Sequence, residues 1–76
     1  MQELMRYKDI EREISRTLSR IIREYRSEGY PKSLLIVVKN EVWDEIDKLS
    51  YETLKGLTDE DIIDMFDMHM SQQSKI

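Results

Sequence analysis

The chain has no cysteine. No disulfide can reinforce its core, and no thiolate zinc site can form. It has one histidine, His69, which leaves little from which to build an imidazole metal site. Only two glycines, Gly29 and Gly56, and one proline, Pro31, punctuate 76 residues. An all-β domain needs a turn signal every ~8–12 positions, so that class is excluded and a few helices with short joints are expected. Long apolar runs are missing too. The longest is Leu34–Val38, far short of the ~20 residues that a membrane span requires. The opening Met1-Gln2-Glu3-Leu4 lacks the charged-then-apolar order of a secretory signal. A cytoplasmic protein in a reducing compartment is expected. Glycine-rich phosphate loops and Gly-x-Ser-x-Gly elbows are absent as well. No catalytic residue, metal or cofactor is expected, and the chain reads as non-enzymatic.

Charge is plentiful, at 37% of residues, with a net charge of −4. It is unevenly placed. Residues 1–28 carry seven basic and six acidic side chains, whereas residues 29–76 carry five basic and ten acidic ones. All six arginines fall in the first segment. One small domain spanning 1–76 is expected. A chain of this size has a marginal core unless it is well packed or shared between subunits.

The first element reads as a long helix over Gln2–Glu28. Leu4, Tyr7, Ile10, Ile14, Leu18, Ile21, Ile22 and Tyr25 form its apolar stripe. Gly29 supplies the stop and Pro31 blocks continuation. Leu34-Leu35-Ile36-Val37-Val38 then reads as a β-strand, because Ile36, Val37 and Val38 are β-branched and Pro31 favours extended backbone. A lone strand leaves both edges unpaired. Its partner is therefore expected from another chain. The expected dimer interface comprises Leu34, Leu35, Ile36, Val37 and Val38, with Ile14, Leu18, Ile21 and Tyr25 of the helix stripe.

Asn40 is placed as the cap of a second helix, with Val42, Ile46, Leu49 and Thr53 inward and Trp43 beside them. Whether that helix breaks at Ser50 or runs to Lys55 stays open. The third helix has the clearest start. Thr58-Asp59-Glu60-Asp61 resembles a capping box, and Leu57 and Ile62 can form its hydrophobic staple. Ile62, Met65, Phe66 and His69 share one face, and a frayed tail covers 71–76. The fold class is thus mainly α: a long helix, one short strand at about 33–38 paired between chains, then two helices.

Two charged groups are candidate partner-binding surfaces. Arg12, Arg16, Arg20 and Arg23 step by 4, 4 and 3 along one helix face. They can grip an acidic surface, hold phosphates or pair with acids of this chain or a second copy. Asp59, Glu60, Asp61, Asp64 and Asp67 form an acidic cluster that suits a helix start, with docking to a basic surface as the alternative. It lacks the glycine turn and distal glutamate of a calcium loop. Trp43 is a candidate anchor, since aromatics concentrate at the centres of interfaces. His69 can be drawn as an acid–base pair with Asp64 or Asp67, but a histidine favourably placed near a helix end is the simpler reading.

The order strand, helix, helix over 34–70 resembles the ribbon-helix-helix family. Lys39–Leu49 is similar to that family's first helix, and Gly56-Leu57-Thr58 followed by Ile62-Ile63 is similar to its turn and second helix. The resemblance implies a dimer joined through an antiparallel ribbon. It also implies DNA reading by polar strand residues, but here the strand is aliphatic, and Asp59-Glu60-Asp61 would repel phosphate. The leading expectation is therefore a regulatory or inhibitory protein of the kind phages and plasmids use. It would be a homodimer that binds a protein target, with no membrane association. A ribbon-helix-helix transcriptional regulator contacting nucleic acid comes second, and a structural or assembly subunit third.

Overall fold

A computed structural model describes residues 2–73, with side chains from Lys8 onward. Leu4 and Tyr7 of the expected stripe, and 74–76 of the expected tail, lie outside the described side chains. The chain forms four helices: α1 (Gln2–Ser27), α2 (Lys32–Asp47), α3 (Tyr51–Lys55) and α4 (Asp59–Gln73).

α1 ends as expected. Gly29 takes φ 101°, which a glycine adopts without the clash a Cβ would bring. The Tyr30 N–H then donates to the Tyr25 carbonyl at 3.2 Å, and the Gly29 N–H to that of Arg26 at 3.0 Å. This is the paired closure of a Schellman turn. Its usual apolar contact is present too, with the Tyr30 and Tyr25 rings edge to face at 5.1 Å.

The expected strand is a correction. Leu34–Val38 lies inside α2, and no strand occurs among the described residues. The ribbon of the family resemblance thus has no counterpart there. As a helix the segment satisfies its own backbone without a neighbour. Leu35 and Val38 also fall in line with Val42 and Ile46, and all four are at most 1% exposed. Three β-branched residues cost a helix only a few tenths of a kcal/mol each. Burying two aliphatic side chains offsets that several times over. Pro31 acts as the N-cap, with extended φ −70° and ψ 142°. Asn40, expected as a cap, is an exposed residue of the helix interior.

α2 stops at Asp47, and Ser50 caps α3 by accepting from the Thr53 N–H at 3.3 Å; Thr53, expected inward on the second helix, is therefore an exposed residue of α3. The capping box of α4 forms as read. The Asp61 N–H donates to Thr58 Oγ1 at 3.2 Å, and the Thr58 N–H to Asp61 Oδ2 at 3.0 Å. α4 continues through Gln73, so 71–73, expected as tail, are helical.

The core draws on all four helices: Ile14, Leu18 and Ile21, Leu35, Val38, Val42 and Ile46, Leu54, and Ile62, Phe66 and Met70. α4 packs against both α1 and α2. The α1 stripe from Ile10 to Tyr25 is therefore covered by the same chain.

Candidate functional site

Burial of one face of α1 fixes where its arginines go. Ile14, Thr17, Leu18 and Ile21 point inward, so Arg12, Ser15, Arg16, Ser19 and Arg23 point outward and are exposed. With Arg20 they line a shallow groove of about 410 Å³ that contains no other residue type. Arg20 alone of the four reaches another helix, its Nη2 3.3 Å from Asp59 Oδ2. Arg16 meets only Glu13, one turn away, at 3.9 Å. Among the described residues Arg12 and Arg23 take part in no ion pair.

The acidic cluster is divided by α4. Asp59 turns to α1, where its Oδ1 lies 2.9 Å from Thr17 Oγ1. That hydroxyl also lies 3.1 Å from the Glu13 carbonyl oxygen. Asp61 is held in the capping box. Asp67 accepts from the Tyr25 hydroxyl. Partial burial first, and the Asp67 carboxylate second, hold the Tyr25 hydroxyl well above the ordinary tyrosine range. Glu60 and Asp64 are exposed, and no described residue pairs with them. No group of three His, Asp or Glu side chains among the described residues is arranged to hold a metal ion.

His69 does not meet Asp64 or Asp67. It faces α2, with Nδ1 3.2 Å from Glu41 Oε1 and Nε2 3.5 Å from Glu45 Oε1. Gln73 Nε2 donates to Glu41 Oε2 at 2.9 Å. Sequence reading missed this α2–α4 clasp, though its signal was there: two polar pairs, 41/45 and 69/73, each spaced one turn apart. Thr17 was missed as well, although it falls on the stripe between Ile14 and Ile21.

The expected dimer interface is redistributed. Ile14, Leu18, Ile21, Leu35 and Val38 are at most 4% exposed inside this chain's own core, so they have no surface left for a second copy. Tyr25 and Leu34 are half-buried against that core. Ile36 and Val37, at 44% and 46%, face solvent on the outer side of α2. Trp43, half-buried, lies two turns further along. The other large exposed apolar residues of α4, Ile63 and Met68, stand on different sides of that helix.

No protein-family model matches the chain, and neither a curated protein nor a solved structure matches it. No helix among the described residues is long and apolar enough to cross a membrane.

Proposed function

We propose that the chain is a small non-enzymatic regulatory or inhibitory protein that forms a homodimer and acts by binding another protein. The arginine face of α1 is its docking surface, and the partner presents an acidic surface. One observation carries this reading: Arg12 and Arg23 hold exposed guanidiniums that no described residue pairs, on a face lined by arginine and serine. Paired arginines would make that face structural; unpaired ones are available to carboxylates, which they meet in bidentate geometry. A cationic stripe on an otherwise acidic molecule also orients it during encounter. The net charge of −4 argues against nucleic acid, since a duplex would repel most of the molecule.

The test compares the wild-type chain with an R12E/R16E/R23E variant, all three sites being exposed. Each is immobilised and offered host lysate. The wild type is expected to retain a protein that the variant does not, released by about 0.5 M salt as screening predicts. Retention by both alike would remove the arginine face from the reading. Enrichment of one duplex site from a random library by the wild type alone would instead establish DNA binding.

A further inference from the structure

The charges of α2 run against its own dipole. Lys32 stands in its first turn, where no acid is present, and its last turn holds Asp44, Glu45 and Asp47 with no base, Lys48 following only as the C-cap. Cations at a helix N-terminus and anions at its C-terminus each weaken the helix. Packing against α4 accounts for Glu45, which faces His69, but not for Lys32, Asp44 and Asp47. The outer face of the same helix carries its exposed apolar pair, Ile36 and Val37.

Faces repeat every ~3.6 residues along a helix. Lys32, Ile36, Trp43 and Asp47, stepping by 4, 7 and 4, therefore lie in one row beside the exposed Asn40. Lys32, Ile36 and Asp47 are exposed, and Trp43 packs partly against the core and keeps one edge accessible. The row reads cation, aliphatic, aromatic, anion. Its midpoint falls between Lys39 and Asn40. A two-fold axis across the helix at that point lays a second α2 antiparallel on the first. Residues on one flank then meet the same flank of the copy. Ile36 is set against the copy's Trp43, and Lys32 against the copy's Asp47, each pairing occurring twice. Such self-complementarity is what a closed two-fold interface requires. Antiparallel stacking also brings each misplaced end charge to the oppositely charged end of the other helix.

We infer that the outer face of α2 binds a second copy of this chain, antiparallel, in the register that pairs Ile36 with Trp43 and Lys32 with Asp47. This deepens the homodimer part of the proposed function and is independent of the arginine face. Ile36 and Trp43 supply the apolar contact. Asn40, beside the axis, sets the register as a central polar residue does in paired helices. Lys39 lies at the edge, where its stem packs and its ammonium stays in water.

Sedimentation equilibrium from about 1 µM to 1 mM reads the association. The wild type should shift from 9.2 kDa to twice that mass. I36E, which alters an exposed side chain, should weaken association at least ~30-fold with an unchanged circular dichroism spectrum, because a carboxylate would be buried against tryptophan. K32D and D47K should each weaken it about tenfold by setting like charges opposite one another in both symmetric pairs. The combined K32D/D47K chain, or an equimolar mixture of the two single variants, should recover the loss. A wild type of single mass throughout would overturn the inference. So would indifference to I36E, single charge variants equal to wild type, or a double variant no better than the singles. R12E/R16E/R23E should self-associate like wild type. If that variant alone were monomeric, the copies would meet through α1, and this interface would fall while the homodimer stood.

Discussion

α4 opens with its free donors answered by Thr58 and Asp61 and with three acids in its first turn, whereas α2 opens on Pro31 without a side-chain cap and with Lys32 against the dipole. α4 is written for a helix by its own first turn. α2 is helical because of what it touches: Leu35, Val38, Val42 and Ile46 are shut against α1 and α4. One helix is specified locally and the other by tertiary packing. The comparison also says where the molecule opens first. A helix held by packing should exchange its amides through larger openings than one that is capped. α2 also carries two exposed aliphatic side chains, Ile36 and Val37, on its outer side.

The largest break in the comparison comes from a cavity under α2. Leu35→Ala should cost about 3 kcal/mol, within the usual range for a fully buried leucine, and urea denaturation would measure it. The loss should exceed that of any single cap. If Leu35→Ala cost less than about 1 kcal/mol, α2 would not depend on its buried row.

On α4, Thr58→Ala should cost about 1 kcal/mol, the ordinary value of an N-cap. Its effect on amide exchange should be confined to the first turn, around Asp59–Ile62. A change spreading into α2 would show that the two helices open together, and the contrast between them would fail.

A smaller effect tests the joint between α1 and α4. The Tyr25 hydroxyl donates to Asp67, and its proton is held more tightly than in the unfolded chain. Below pH ~10 both states keep that proton, and the bond contributes fully. Above it the unfolded chain loses the proton first, so stability falls as pH rises through the unfolded value and toward the folded one. Chemical denaturation between pH 8 and about 11 should show the decline, and Tyr25→Phe should flatten it. An identical slope in both chains would detach Tyr25 from the alkaline loss.

The contrast between α2 and α4 also explains what was legible in the residues themselves. The α1 terminus at Gly29 and the α4 start at Thr58 were readable because a few neighbouring side chains decide them. The outward arginines were readable because four residues at helical spacing must share a face. Arg20 could not be told apart from its neighbours, since its partner Asp59 depends on how α1 and α4 are packed. Leu34–Val38 misled because β-branching and a nearby proline are local signals, while the deciding factor was distant. A helix there needs no partner strand and continues the row through Val42 and Ile46. The stripe residues Ile14, Leu18 and Ile21 were expected at a dimer interface. They are covered because Leu34–Val38 is part of a second long helix rather than an edge.

Asn40 gives the smallest effect and one whose sign decides. Were it a cap, replacement by alanine would remove a side-chain acceptor and cost about 1 kcal/mol. In the interior of α2, exposed to solvent, it is only a mediocre helix former, and Asn40→Ala should instead stabilise the chain by roughly 0.5 kcal/mol. The measurement belongs at about 1 µM, where a weak dimer is dissociated and the monomer alone is read. At high concentration the same substitution should loosen the register of paired helices. A stabilised monomer with weakened association would place Asn40 both inside α2 and beside the axis. A destabilised monomer would return the helix start to Asn40 and reopen the conformation of Leu34–Val38.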